Sequence, residues 1–325
     1  MRALRFDRFG DVSVLQVREL PVPVAGPGEV LVKVHAASVN PSDVKNVEGK
    51  MEGTTLPRVP GRDLAGIVVD GPRELIGQEV WAAGGDIGFI RDGSHAEYIA
   101  IPQAGAQLKP KTLSMAEAAS VGVNYITAFL GLVERAGVKS GEVVLVTGAR
   151  GGVGSSVAKI AKSRGARVIG VDRDVLDPSK AANFGIDLSL SSKSDHLEIQ
   201  VKQFTDGRGA DVAFDCVGGP LFERSLNSLG PKGRQVNITS VGDRRVSFDL
   251  IHFYHRQLTL YGVDTRALDT VDSGMILEKL RPSFEAGLLS APATARTCGL
   301  ADAVDAYREV GSGEANGKIV ITFQQ

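Results

Sequence analysis

The chain has 325 residues, with 37 Lys or Arg and 38 Asp or Glu, so its formal net charge is −1. This balance argues against nucleic-acid and membrane partners, because both need a clear basic excess. The 2 cysteines exclude a disulfide framework and favour a reducing compartment. The N-terminal segment lacks the apolar core of a signal peptide, and we expect no membrane span and a cytoplasmic location.

The first part of the chain, residues 1–120, is predicted to be rich in strands. Runs of apolar and β-branched residues, broken by Pro and Gly, predict strands at 15–19, 29–36, 64–70, 77–82 and 96–101. Strands of this length and spacing are typical of a compact barrel or sandwich. Ser114 is a candidate cap for a helix that begins at Met115.

From residue 121 the pattern changes to alternating strands and amphipathic helices. The predicted order is strand 143–147, helix 152–164, strand 167–172, helix 177–184, strand 211–216, helix 220–229, strand 233–238 and strand 257–262. This alternation indicates a parallel sheet covered by helices on both faces. After about residue 290 the chain returns to a strand, 293–297, a helix, 300–310, and a final strand, 318–323.

A glycine-rich turn joins the first of these strands to its helix. Its glycines, which include Gly151 and Gly154, allow a tight turn and a close approach of the backbone to a pyrophosphate. The first N–H groups of the helix would then face that anion. The next strand ends on Asp172, where an acidic group meets ribose hydroxyls. The glycines alone also suit an ordinary turn, but the combination predicts dinucleotide binding.

Asp172 and Arg173 bear on which dinucleotide is used. A carboxylate at position 172 would accept a hydrogen bond from a 2′-hydroxyl and repel a 2′-phosphate, which favours NADH slightly. Arg173 could instead pair with a phosphate, so NADPH stays open. Both residues also suit a solvated strand end.

Six ordered motifs resemble one known group over essentially the whole length. They are residues 37–43, 60–66 and 93–98, the glycine-rich loop, and residues 215–219 and 317–320. The chain resembles the zinc-free quinone oxidoreductases of the medium-chain dehydrogenase/reductase superfamily. The resemblance implies an α/β fold in which a doubly wound Rossmann domain, 121–285, is inserted into a GroES-like β-barrel catalytic domain, 1–120 completed by 286–325. It also implies a homodimer joined through the Rossmann sheet edge near 258–262.

The positions that hold zinc in metal-dependent relatives carry other residues here. Asn40 stands where the resemblance places the first ligand and Arg62 where it places a histidine. Neither side chain is a normal zinc ligand. We therefore predict NAD(P)H as the cofactor and no zinc.

The resemblance places four candidate catalytic residues near the nicotinamide: Asn40, Asp43, Thr127 and Tyr125. Asn40 is also suited to a turn ahead of Pro41, and Asp43 is equally suited to cap a helix that starts near Val44. A tyrosine found in many relatives is missing at 49–51. Tyr125 is a candidate substitute proton donor, and a buried helix aromatic is the alternative.

The expected cofactor contacts come from the glycine-rich loop, the following strand ends and the last motif. Besides Asn40 and Thr127 they are Ala149, Arg150, Gly151, Gly152, Val153, Gly154, Asp172, Arg173, Val217, Ile238, Thr239, Ser240, Val263 and Lys318.

Without a metal, hydrogen bonds alone must polarise the hydride acceptor, which suits quinones or similar electron-poor conjugated carbonyls. One alternative is an enoyl, alkenal or haloacrylate-type double-bond reductase on the same scaffold. Another, of a different class, is a catalytically silent dinucleotide-binding protein like the crystallins. The presence of Asn40, Asp43 and Thr127 counts against the silent protein.

Overall fold

A computed structural model describes residues 1–323, and the chain divides into two compact units. Unit 1 comprises Met1–Ile126 together with the chain from Thr265 onward, and unit 2 comprises Thr127–Asp264. In sequence, unit 2 is therefore inserted between the two segments of unit 1.

The first part of unit 1 is dominated by strands. Its elements are β1 Arg2–Arg5, β2 Gln16–Glu19, β3 Glu29–Val39, α1 Pro41–Val47, β4 Asp63–Asp70, β5 Glu79–Ala83, β6 Tyr98–Pro102, β7 Gln107–Leu108 and α2 Met115–Phe129, whose last three residues belong to unit 2. Ser114 caps α2, since its hydroxyl accepts from the Glu117 N–H and the Glu117 carboxylate accepts from the Ser114 N–H.

Unit 2 alternates strands and helices. Its elements are β8 Val143–Thr147, α3 Gly152–Ser163, β9 Arg167–Asp172, α4 Pro178–Asn183, β10 Leu188–Ser191, α5 Leu197–Phe204, β11 Ala210–Asp215, α6 Phe222–Asn227, β12 Leu229–Asn237, α7 Leu250–His255 and β13 Thr259–Gly262. All six strands pair in parallel in the order β10-β9-β8-β11-β12-β13. This is the Rossmann strand order, and together with the strand-rich unit 1 it confirms the predicted fold class.

The last part of the chain completes unit 1. It contains α8 Thr270–Glu285, β14 Thr294–Cys298, α9 Ala303–Ser312 and β15 Lys318–Thr322. The sequence-based division places α8 with the Rossmann domain, whereas here α8 packs within unit 1. The ring of Phe284 lies 5.7 Å from that of Trp81 and 5.0 Å from that of Tyr125.

Strand β3 organises the main sheet of unit 1. The sheet order is β14-β15-β3-β4-β5-β7, and β6 also pairs with β3. Val39, the last residue of β3, pairs antiparallel with Ile319 of β15. Asn40 and Lys318 therefore lie next to each other although they are far apart in sequence. Apolar side chains of these strands, such as Val32, fill the core.

One helical segment bears on the expectation that the chain has no membrane span. Among the described residues, the 21-residue helical stretch Met115–Arg135 contains an 18-residue window with a mean hydropathy of 1.3, so by length and composition it is able to cross a membrane. Within the protein, 72% of its most apolar window is buried, as in the core helix of a globular protein. A buried core helix of a globular protein has the same length and apolar composition.

Candidate active site

The turn between β8 and α3 can be formed only with glycine at two positions. Gly148 has a φ of +61°, in the left-handed region that other residues avoid. At Gly154 an added Cβ would lie 2.2 Å from the carbonyl oxygen of Gly148. The glycines of the sequence motif therefore serve backbone packing within the turn, and they hold the start of α3 in place.

The N-terminus of α3 is suited to an anion. Gly151 is its N-cap and provides no side-chain hydrogen bond. The first N–H groups of this 12-residue helix are left to an external acceptor, and the helix dipole favours negative charge there. Gly152 and Val153 are partly exposed, whereas Ala149 is buried. This geometry fits a dinucleotide pyrophosphate.

Asp172 ends β9 beside the same turn. Its carboxylate accepts a 2.9 Å hydrogen bond from the backbone N–H of Arg150, and the guanidinium Nε of Arg150 lies 3.5 Å away. Burial raises the pKa of Asp172, and the contacts with Arg150 oppose that rise. Arg173 is exposed. The acidic side chain predicted for the ribose is thus already paired with a cation.

Asp215 is a residue of unit 2 to which the sequence analysis assigned no role. It ends β11, is fully buried, and its Oδ1 accepts from the Thr147 hydroxyl at 2.5 Å. The same oxygen accepts from the N–H groups of Val217 and Gly218 at 3.0 and 2.9 Å. Asp215 therefore fixes the loop that carries Val217. The motif at 215–219 was visible in the sequence, but the hydrogen-bond partners of its first residue were not.

The structure brings the predicted cofactor residues of unit 2 to one edge of the sheet. Thr147 pairs with Asp215, Asp215 with Asn237, and Asn237 with Gly262. The segments that leave these strands therefore emerge together, at the carboxyl edge where ligands gather in such sheets. This edge carries the glycine-rich loop, Val217, Ile238, Thr239, Ser240 and Val263.

Asn40 belongs to a buried polar cluster in unit 1. Its Nδ2 donates to Asp63 Oδ2 at 2.9 Å, and its Oδ1 accepts from Lys318 Nζ at 2.5 Å. Asn40 is 1% exposed, and Lys318 is 6% exposed. Burial lowers the pKa of Lys318, and the two aspartates of the cluster oppose that effect. The orientation of the Asn40 amide is thus fixed from both ends.

Asp63 is the acceptor at the centre of this cluster. Besides Asn40, its carboxylate accepts from the Ser38 hydroxyl and from the backbone N–H of Val123, each at 2.8 Å. Asp63 is fully buried. The sequence motif at 60–66 contains this residue, but the strand-like pattern around it gave no reason to assign it a role.

Asp43 does cap a helix, although not in the way expected. Helix α1 begins at Pro41 rather than near Val44, so Asp43 lies in its first turn and accepts from the Asn40 N–H at 2.8 Å. Its other oxygen is buried without a hydrogen-bond partner in the described chain. Burial raises the pKa of Asp43 to about 7, and Arg62 and Lys318 oppose the rise. The carboxyl group can therefore change protonation near neutral pH.

The residues at the expected zinc positions do not fit a zinc ion. The Arg62 side chain is 3% exposed, and its guanidinium donates to the carbonyl oxygens of Gly84 at 2.9 Å and Thr265 at 3.1 Å. A guanidinium has no lone pair to offer a metal. Within residues 1–323, no group of three or more His, Cys, Asp or Glu side chains is placed to hold a metal ion.

Two further side chains are core residues. The Tyr125 hydroxyl donates to the Ser290 carbonyl at 2.6 Å, the residue is fully buried, and burial raises its pKa. This geometry fits the buried aromatic and not the proton donor. His95 lies between the carbonyl of Ser38 at 3.1 Å and the hydroxyl of Tyr307 at 2.9 Å. Burial lowers the pKa of His95 to about 4, so it is neutral.

The chain matches two protein-family models. Residues 26–111 match an alcohol dehydrogenase GroES-like domain, and residues 152–276 match a family described as zinc-binding dehydrogenase. Among solved structures, an NAD-dependent alcohol dehydrogenase superposes with a TM-score of 0.90 and 30% identity, covering 100% of both chains.

Three curated relatives are similar over much of their length. A zinc-type alcohol dehydrogenase-like protein of Schizosaccharomyces pombe is 36% identical, covering 99% of this chain and 96% of the relative. A 2-methylene-furan-3-one reductase of Solanum lycopersicum is 32% identical, with coverages of 99% and 79%. A quinone oxidoreductase of Sus scrofa is 31% identical, with coverages of 74% and 74%. The chain is therefore a quinone oxidoreductase-like member of the medium-chain dehydrogenase/reductase superfamily.

Proposed function

We propose that this oxidoreductase transfers hydride from NAD(P)H to a quinone or a similar electron-poor conjugated carbonyl without zinc. The observation that carries the proposal is the pair of residues at the expected metal positions. Arg62 is bound to backbone carbonyls and Asn40 lies between Lys318 and Asp63. A side-chain set of this kind supplies no Lewis acid, which suits an acceptor that is already electron-poor.

The dinucleotide, when bound, supplies the hydride. In the proposal the glycine-rich loop and the start of α3 hold the pyrophosphate, and Asp172 and Arg150 lie at the ribose. Asp215 acts indirectly, because it holds the loop that carries Val217. The segment 238–240 and Val263 follow β12 and β13, and we propose that they contact the nicotinamide end of the dinucleotide.

Unit 1 contributes an oriented amide and a protonatable acid. Asn40 and Asp43 of this unit are proposed to border the nicotinamide and the acceptor, and Thr127, the first residue of unit 2, is proposed to contact the nicotinamide. Lys318 acts through Asn40 in this scheme, since its ammonium donates to the Asn40 side-chain oxygen. Double-bond reduction needs a proton delivered to carbon, and Tyr125 is bound to Ser290 in the core. A quinone oxygen can take its proton from solvent, so the quinone is favoured as acceptor.

A spectrophotometric assay tests this function. Oxidation of NADH and NADPH is followed with a quinone, with an enone and with no acceptor, using protein before and after chelator treatment. We expect the fastest turnover with the quinone and no change on chelation. Loss of activity after chelation, restored by zinc, would overturn the metal-free proposal. Faster turnover with the enone than with the quinone would show that the acceptor is an enone and not a quinone.

The edge of the unit 2 sheet is proposed as a homodimer contact. Strand β13 lies at the end of the sheet order, and helix α7 just before it exposes Leu250, Ile251 and Tyr254 by 63%, 59% and 55%. A second copy could continue the sheet and cover these apolar side chains. Sedimentation equilibrium would show a dimer, and a monomer at micromolar concentration would reject this contact.

A further inference from the structure

We propose that Arg150 sets the dinucleotide preference, so that unit 2 accepts both NADH and NADPH. In this scheme Arg150 stays paired with Asp172 when the ribose carries a 2′-hydroxyl, and its guanidinium turns to the phosphate when the ribose carries one. The inference rests on the proposed dinucleotide binding and refines it. It replaces the expectation that Asp172 alone tilts the site towards NADH.

The first observation is that Arg150 reaches Asp172 in two ways. The backbone N–H of Arg150 donates to Asp172 Oδ2 at 2.9 Å, and the side-chain Nε lies 3.5 Å from the same oxygen. The backbone bond does not depend on where the guanidinium points. Asp172 therefore keeps a donor, and its position, while the Arg150 side chain moves.

The second observation is the difference in exposure of the two partners. The Arg150 side chain is 38% exposed, whereas that of Asp172 is 18% exposed. An ion pair this open to solvent is weak, so releasing the guanidinium from Asp172 costs little free energy. An arginine freed in this way offers the forked donor set that suits phosphate oxygens.

Charge explains why the pair tolerates either ribose. A carboxylate without a nearby cation at the end of β9 would repel a 2′-phosphate. Here the Arg150 charge offsets the carboxylate, and it also acts on Asp174 together with Arg173. A nearby cation, Lys193, is bound to Asp174 at 3.0 Å and serves as a control charge.

The test measures binding rather than turnover. Dissociation constants for NADH and NADPH are obtained by titration calorimetry at low and at high salt for the wild-type protein, Arg150→Gln and Lys193→Gln. We expect wild-type constants for the two dinucleotides within about tenfold of each other. Arg150→Gln should weaken the binding of NADPH about 10- to 100-fold, which is the range of one charged hydrogen bond. It should change the dissociation constant of NADH by less than about threefold.

The controls separate this inference from the proposed function. Lys193→Gln removes a positive charge from the same region and should leave the ratio of the NADH and NADPH dissociation constants unchanged. High salt should weaken the binding of NADPH more than that of NADH. An unchanged ratio in Arg150→Gln, an equal shift in Lys193→Gln, or wild-type rejection of NADPH would overturn the role of Arg150. Failure of the wild-type protein to bind either dinucleotide would instead overturn the proposed function.

Discussion

The two units carry candidate functional groups of different kinds. In unit 2 the turn at Gly148–Gly154 presents backbone N–H groups, and few side chains take part. In unit 1 the cluster around Asp63 consists of buried side chains that hold one another through hydrogen bonds and opposite charges. The turn depends on glycines, which have no side chains. The cluster depends on hydrogen bonds and opposite charges among its side chains.

This difference predicts different failures. A backbone site loses its ligand when a Cβ displaces the chain, while the rest of the unit keeps its core. A buried charged cluster loses stability when one member is removed, because the remaining charge has no solvent and no partner.

The largest expected effect is that of Asp63→Ala. This change leaves Asn40, Ser38 and Val123 without their acceptor and Lys318 with less compensating charge. We expect the free energy of unfolding to fall by about 3–5 kcal/mol, as when one partner of a buried ion pair is removed. Urea unfolding measures it. Asp70→Ala on the exposed end of β4 is the control, and equal losses in both would contradict the central place of Asp63.

The next effect is that of Gly154→Ala. The new Cβ would meet the Gly148 carbonyl oxygen at 2.2 Å, so the turn must move away from the start of α3. Loss of two charged hydrogen bonds of about 1.5 kcal/mol each would weaken dinucleotide binding about 100-fold. Gly299→Ala is the control, because its Cβ meets only Asp302, at 4.0 Å. Unchanged binding in Gly154→Ala would show that the ligand lies elsewhere.

The smallest effect is the pH dependence of Asp43→Asn. The pKa of Asp43 is raised from 3.8 to about 7, so the folded protein binds the extra proton between these values. Its contribution to stability is therefore full below pH 3.8 and is lost as pH rises towards 7. Arg62, Asp63, Lys318 and Tyr307 are the charged or titratable groups that act on it.

The measurement is the difference in unfolding free energy between Asp43→Asn and the wild-type protein from pH 5 to pH 8. We expect the unfolding free energy of the variant to increase relative to that of the wild-type protein as pH rises. The lowered pKa of His95 works in the opposite direction, with stability lost as pH falls from 6.5 to about 4, and it cancels in the difference. A difference that stays constant with pH would mean that Asp43 does not titrate in this range.

The sequence predicted the glycine-rich turn of unit 2 better than the polar cluster of unit 1. Strands 143–147 and 167–172 and the glycines between them match the observed β8, β9 and their turn, because an apolar run and a glycine spacing are local signals. The sequence analysis missed β10, Leu188–Ser191. This strand is short, lies at the edge of the sheet, and has a polar residue at every second position. Helix α5 was missed as well.

The partners within unit 1 could not be predicted in the same way. Asn40 and Lys318 are separated by 278 positions, and Asn40 and Asp63 by 23. No local pattern records which polar side chains meet across a sheet. The motifs marked Asn40 as a site residue, but only the pairing of β3 with β15 shows what orients it.

That pairing also has a consequence for the order of synthesis. The separation of 278 positions means that Asn40 leaves the ribosome tens of seconds before Lys318, at about 5–20 residues per second. Throughout that interval the Asp63 carboxylate lacks the ammonium that acts on it in the folded protein. The nascent unit 1 therefore cannot close its polar cluster until β15 emerges, whereas every element of unit 2 is already available.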